Sequence, residues 1–271
     1  MSAQELLQVH KYAEAITECR RRLAMNPNDI GAADTMASAL TAVGQYREAL
    51  PLYEFVGLDE REDKLTPGHP GRQIDISCLH WFLGDRQIAI RLMHELVDGV
   101  LDGSINYGDA AGGVTQGLLL YYMAVTENLP EEMSFALKYM KNRSKRTAGS
   151  NWPGPVARYY LGDVTFDDVL ASATGQRELP AAFEVARTKL LSRRQLCGAL
   201  FHDGVRRRAK GAKELCLARM RECYGLENPL IEPEWYLARY EVEQADKVAK
   251  APQYLLWRGD RSAFMAKENR F

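Results

Sequence analysis

The chain contains no apolar run approaching the roughly 18 residues that a membrane-spanning helix needs. Its first residues show neither a basic n-region nor an apolar h-region, so no leader is expected. The compact signatures of nucleotide binding and hydrolysis are missing as well. There is no G-x-x-x-x-G-K-S/T, G-x-G-x-x-G, G-x-S-x-G or H-E-x-x-H. Cysteine is scarce and odd in number: Cys19, Cys78, Cys197, Cys216 and Cys223 form no C-x-x-C pair, which excludes the usual zinc and disulfide frameworks. Cys216 and Cys223 share one face of a helix, the placing of small core residues in a reducing compartment. The five histidines (His10, His69, His80, His94, His202) have no metal-ligand spacing. Neither a metal nor a cofactor is expected, nor is catalysis, and a cytoplasmic protein fits these absences. Strand-length alternation of apolar and polar residues is also lacking. The fold expected is all-α.

Charge is abundant but unevenly placed. The net charge of −1 gives no global pull toward nucleic acid or membrane. Residues 1–136 hold 20 acidic and 10 basic side chains, a charge of −10, against 16 and 25, or +9, for residues 137–271. An acidic first half can steer a basic partner. The basic patches of the second half, Lys138 to Arg146 and Arg193 to Lys213, could hold RNA or could be a solvated face with helix C-terminal charge. Arg258-Gly259-Asp260 reads as a turn, and acid pairs such as Glu131-Glu132 suit helix N-termini.

Periodicity supplies the architecture. Tyr12-Ala13-Glu14-Ala15 and Tyr46-Arg47-Glu48-Ala49 align with 34 residues between Ala15 and Ala49, the period of a helix–turn–helix repeat. Ser2-x-x-Glu5 is a capping box that opens a short first helix. Helices are predicted over Tyr12–Met25, Ile30–Val43 and Tyr46–Val56, the last ended by Gly57. Leu58–Gly71 reads as a loop. A third pair turns at Gly84, and the glycine-rich stretch from Asp98 to Gly113 reads as a bent connector. Val114–Thr126 and a helix opened by Pro130 form a fourth pair. Thr147–Pro155 reads as a hinge or boundary between residues 1–146 and 156–271, two parts expected to be continuous as one elongated domain. Short helices follow it, capped at Thr165, then Pro180–Arg194, Leu196–Tyr224 with its turn at Gly211, Pro233–Lys250 and a mixed tail to Phe271.

The succession Ala37, Ala49, Tyr53, with Gly44 at the turn and Pro27 closing the preceding unit, resembles the tetratricopeptide repeat. Gly204, Gly211, Cys216 and Met220 repeat that spacing. Ala33 stands where that family commonly has tryptophan, and Arg61 where the closing proline would fall. The resemblance covers Lys11–Glu62 and Leu196–Pro229. It implies a right-handed α-solenoid of antiparallel helix pairs, irregular in the middle.

It also implies a concave groove lined by the first helix of each pair, here Asp34, Ser38, Thr41, Ile74, Cys78, Trp81, Phe201, Val205 and Arg208. The lysine and asparagine set with which some members clamp a terminal carboxylate is missing. A second candidate surface is aromatic: Tyr107, Tyr121, Tyr122, Trp152, Tyr159 and Tyr160 have the composition of interface anchors and equally of a helical core. In size and irregularity the chain is loosely similar to bacterial immunity proteins built on helical repeats. That similarity implies a protein that binds a toxin domain with a basic surface and covers its active site. An adaptor or regulator binding a peptide or RNA is the alternative.

Overall fold

A computed structural model of the chain describes residues 1–62, 70–106, 110–230 and 232–250, with only the backbone at Glu62. His69, Tyr107, Arg258-Gly259-Asp260 and the tail to Phe271 lie outside the described residues. Among those described, every regular element is helical. The helices are α1 (Ala3–Gln8), α2 (Tyr12–Met25), α3 (Ile30–Ala42), α4 (Tyr46–Glu62), α5 (Gln73–Leu83), α6 (Arg86–Asp102) and α7 (Thr115–Thr126). They continue as α8 (Pro130–Ser144), α9 (Gly154–Leu161), α10 (Phe166–Thr174), α11 (Leu179–Thr188), α12 (Leu190–Ala209), α13 (Lys213–Tyr224) and α14 (Pro233–Lys250). No helix among the described residues is long and apolar enough to cross a membrane.

Local chemistry accounts for most of the boundaries. Ser2 and Glu5 close the capping box reciprocally, at 2.6 and 3.2 Å. Thr165 and Asp168 do the same at the start of α10. Asp29 accepts from the Ala32 N–H at 3.0 Å and is gripped by both arms of the Arg22 fork, which ties the end of α2 to the start of α3. Gly84 ends α5 at φ 93°, a left-handed conformation that costs glycine no Cβ clash. Each helix from α1 to α9 packs on its successor, with a 3₁₀ turn lying between α8 and α9. The long helix α12 then gathers α7, α9, α10, α11, α13 and α14 around itself.

Three predicted boundaries move. Gly57 does not stop α4, which runs on to Glu62 and takes Leu58–Glu62 out of the expected loop. A Cβ on Gly57 would lie 2.9 Å from the Arg72 backbone nitrogen, so this glycine serves close approach of α4 to the start of α5. Asp98 and Gly99 do not begin the connector either, because α6 continues to Asp102 and ends on Gly103 at φ 84°. A Cβ on Gly99 would press on the Ile105 side chain. The predicted helix Pro180–Arg194 is broken at Lys189, whose backbone is extended (φ −129°, ψ 115°). Arg193 supplies the compensation by donating to the Ala186 and Arg187 carbonyls, both at 3.2 Å, which α11 leaves open at its end.

The core is continuous and rich in aromatics. Trp81, Tyr122, Tyr139 and Phe201 are all buried, and the Trp81 indole N–H donates to the Tyr122 hydroxyl at 2.9 Å. Of the segment Thr147–Pro155, Thr147–Ser150 is a 3₁₀ turn packed on α8 and α9, and Gly154 and Pro155 already begin α9; the Asn151 amide between them donates to the Ala110 carbonyl at 3.0 Å.

Candidate functional site

The groove residues predicted on α3, α5 and α12 do converge, with α7 completing the wall. What they converge on is the chain's own last helix, α14. Its buried face carries Glu234, Trp235, Tyr236, Leu237, Ala238, Arg239 and Val242. From the α3 side, the Thr41 and Ala42 carbonyls accept from Arg239 at 3.1 and 2.6 Å. From α5, Phe82 lies 5.5 Å from the Tyr240 ring. From α7, the Tyr122 hydroxyl donates to Glu241 at 2.8 Å. From α12, Arg208 holds both Glu241 oxygens, at 2.9 and 2.8 Å, while also donating to the Thr126 hydroxyl at 2.8 Å.

The result is one hydrogen-bonded chain through the middle of the protein, running Trp81, Tyr122, Glu241, Arg208. Burial alone would raise the Glu241 carboxyl, but the Arg208 fork and the Tyr122 hydroxyl outweigh it and hold the group below its ordinary value. Arg208 is correspondingly raised: desolvation opposes its charge, and Glu241 overcomes that. A second buried polar strand ties the start of α14 to α12 and α9. His202 lies 2.9 Å from the Tyr160 hydroxyl through Nδ1 and 3.3 Å from Glu234 through Nε2.

Of the predicted groove positions, Trp81, Phe201 and Val205 are fully buried, so they are covered by α14 and its neighbours and offer no face to a partner. The aromatic candidates resolve in the same way. Tyr121, Tyr122, Tyr159 and Tyr160 are core residues: Tyr121 packs on Tyr160 at 4.8 Å, Tyr122 on Phe201 at 4.9 Å, and the Tyr159 hydroxyl donates to Asp203 at 2.6 Å. An irregular stack of helices needs large rigid rings to fill its gaps, and these residues are used there. Trp152 is half-buried, with its ring against Gly198. Ile74 is half-buried on the core, and Tyr107 lies outside the described residues.

One part of the groove stays open. Beside the first turn of α14, a cavity of about 350 Å³ is bounded by Asp34, Ser38 and Thr41 of α3, Tyr53 of α4, Arg72, Asp75 and Cys78 at α5, and Pro233 and Tyr236 of α14. The Arg72 guanidinium sits among three carboxylates. It is 2.8 Å from Asp34, 3.4 Å from Glu60 and 3.9 Å from Asp75. The Tyr53 and Ser38 hydroxyls are 3.1 Å apart. Burial pushes the Asp75 carboxyl up to about 6; Arg72 opposes that rise, and Asp34 and Glu60 add to it. Tyr53 appeared in the sequence only as the large residue of the repeat pattern, and Arg72 and Asp75 carried no signal there. The charged stripe of α14 did, since Arg239 falls four residues after Trp235 and three before Val242 on an otherwise apolar face.

The Asp75 shift fixes a direction for stability. The folded chain holds this proton more tightly than the unfolded chain, where an aspartate titrates near about 3.9. The folded state is therefore favoured at low pH, and that advantage disappears as pH rises through about 6. The displacement alone would correspond to about 3 kcal/mol. A third of the side chain is accessible, so solvent screening reduces the figure to about 1–2 kcal/mol. Asp75→Asn is thus expected to raise the unfolding free energy by that amount at neutral pH and to leave it unchanged near pH 4. Urea denaturation at the two pH values checks both the size and the pH dependence.

A second concavity lies between α6 and the start of α8. Its volume is about 690 Å³, and it is lined by the apolar Ile90 and Leu129 and by Glu95, Glu131, Glu132 and Arg91, the last 3.9 Å from Glu95. His94 spans it, 2.8 Å from Glu132 and 3.3 Å from Asp98, with its ring stacked on Phe135 at 4.3 Å. Among the described residues no cluster of histidine, cysteine and carboxylate side chains has the geometry to hold a metal ion. No protein-family model matches the chain, and no curated protein matches it.

Proposed function

We propose that the chain is a right-handed solenoid of antiparallel, tetratricopeptide-like helix pairs that works as a protein-binding scaffold. In this reading it is an immunity protein, acting in the cytoplasm, that neutralises a toxin domain with a basic surface by covering its active site. What supports the reading is that α14 packs over the inward faces of α5 and α12, so a partner would meet the scaffold from outside, where the α6–α8 concavity carries Glu95, Glu131 and Glu132 against the single Arg91 beside the apolar Ile90 and Leu129. Apolar residues beside an excess of acidic ones suit a basic partner that also supplies an aliphatic or aromatic anchor.

The RNA reading loses support from the basic second half. Arg193 pairs with Glu227, Arg194 with Glu232, Arg207 and Arg219 with Asp203, and Arg208 with Glu241. Arg206 lies over the Tyr159 ring at 4.0 Å. These guanidinium groups hold the fold together and are not arrayed for phosphates. The test is to look for a toxin-domain gene beside this one and, where one is found, to co-express the two; absence of such a gene would count against the reading. Restored growth and a stoichiometric complex on size exclusion are expected, with the complex weakened about tenfold or more by Glu131→Lys with Glu132→Lys. A chain that gives no complex, or that binds RNA with steep salt dependence, would overturn the reading.

A further inference from the structure

We propose that Cys197 of α12 and Cys223 of α13 are a reversible redox site, two thiols that hydrogen peroxide converts to a disulfide stapling the central helix to its neighbour. The pairing is independent of whether the outer surface holds a toxin.

All five cysteines are free and buried. Two of them meet: the Cys197 and Cys223 sulfurs are 3.2 Å apart, about 1 Å more than the length of a disulfide bond. The helix hairpin places them there. Helices α12 and α13 are joined by the short turn at Gly211 and so run antiparallel. They come close at Gly204, where a Cβ would lie 3.1 Å from the Arg219 Cβ and 3.2 Å from the Cys216 carbonyl oxygen. Cys197 stands seven residues before Gly204, and Cys223 seven residues after Cys216. Each is therefore about two helical turns from that crossing, on the face that meets the other helix.

The resting state is the dithiol. The Cys223 S–H donates weakly to the Cys197 carbonyl at 3.4 Å, and the Cys197 S–H has the Cys223 sulfur as its acceptor. Burial first, and then the neighbouring Cys223, raise the Cys197 thiol above its ordinary value, so it stays protonated and slow toward bulky reagents. Cys223 is the penultimate residue of α13, where a helix end opens most readily and admits a molecule as small as a peroxide.

The chemistry balances with that one oxidant. One sulfur, as thiolate, attacks a peroxide oxygen; the O–O bond breaks, and a sulfenic acid and hydroxide form. The hydroxide takes up the proton the thiol gave and leaves as water. The second sulfur, as thiolate, attacks the sulfenic sulfur; the S–O bond breaks, and the departing hydroxide leaves as water with the second proton. Two thiols lose two electrons, and one peroxide becomes two waters. An external dithiol reverses the step by exchange. The new bond closes the chain over residues 197–223 and fixes α13 to the helix around which α7, α9, α10, α11 and α14 also pack, which constrains the unfolded chain.

The test compares one chain in two states. The reduced full-length protein is treated with hydrogen peroxide under native conditions, the remaining thiols are blocked in denaturant, and the peptides are mapped by mass spectrometry. A single intramolecular cross-link between Cys197 and Cys223 is expected, with Cys19, Cys78 and Cys216 still open to blocking. The thermal midpoint should rise by about 5–10 °C and return to the reduced value on adding dithiothreitol. Cys223→Ala should show neither the cross-link nor the peroxide-dependent rise, and the wild-type comparison stands by itself if that variant does not fold. The proposal is overturned if all the thiols survive peroxide, if the cross-link joins other cysteines or two chains, if oxidation goes instead to sulfinic or sulfonic acid, or if the cross-linked protein melts no higher than the reduced one.

Discussion

Glu241→Ala is expected to lower the free energy of unfolding by about 3–5 kcal/mol, the cost of leaving one partner of a buried ion pair alone. The side chain joins three elements. Its two oxygens take the Arg208 fork from α12 and one of them also takes the Tyr122 hydroxyl from α7, which in turn accepts the Trp81 indole of α5. Removing the carboxylate strands a guanidinium that is largely buried, and it leaves the Tyr122 hydroxyl without an acceptor. Arg208→Ala should cost a comparable amount, and the double variant clearly less than the sum, because the second change removes the group that the first one stranded.

The pH dependence has a definite sign. Glu241 is held below its ordinary value, so its contribution is present above the unfolded-state pKa of about 4.3 and fades as pH falls through the folded one. Acid should therefore erode the difference between wild type and variant. Urea denaturation with linear extrapolation measures all of this. A loss below about 1 kcal/mol would show that Arg208 finds another partner and that α14 is held by apolar contact alone.

How far these contacts could be foreseen differs from residue to residue. Ser2-x-x-Glu5 and the capping residue Thr165 use rules confined to four consecutive positions, so they are legible without tertiary knowledge. The Ala37, Ala49, Tyr53 spacing is equally local, and it placed α3 and α4. Gly57 misleads because a glycine chosen for close approach has the same letter as one chosen for a left-handed cap. Only the position of Arg72 distinguishes them. Lys189 misleads in the opposite way, because a helix break without glycine or proline is stabilised by a side chain, Arg193, that arrives from the next helix.

The groove shows the same division. The family resemblance implied which positions of α3, α5 and α12 face a groove; α3, α5 and α12 do meet α14, and the α3 and α5 positions also line the cavity. It could not say what occupies the space, since that depends on where a helix nearly 200 residues downstream comes to rest. The trace left in the sequence is chemical. Arg239 and Glu234 interrupt the apolar stripe of α14, and a charge on such a stripe requires a partner inside the fold. The aromatic cluster carried no such mark, because ring composition is the same in a core and in an interface.

Arg239 is the residue on which that reasoning is most exposed. It is only 8% accessible, and its guanidinium completes the C-terminus of α3 by donating to the Ala42 and Thr41 carbonyls, and also to the Tyr46 hydroxyl at 2.7 Å. Helix carbonyls at that end have no intrahelical donor and carry the negative pole of the helix, so a buried cation there is favoured twice over. The Trp235 and Tyr236 rings, 5.5 and 5.6 Å away, add cation–π attraction. Arg239→Ala removes three charge-assisted bonds at once and should cost about 3 kcal/mol or more, given about 1.5–3 for each such bond before the vacated space readmits water. Arg239→Lys keeps the charge and loses the planar fork, which can no longer reach two carbonyls and a hydroxyl together, so about half of that loss is expected. Hydrogen exchange separates a local from a global effect. Faster exchange confined to α14 and the last turn of α3, with α12 and α13 still protected, would show α14 leaving the groove as a unit. Equal acceleration throughout would show that α14 belongs to the same cooperative core, and an alanine variant as stable as the lysine one would show that the fork contributes nothing beyond its charge.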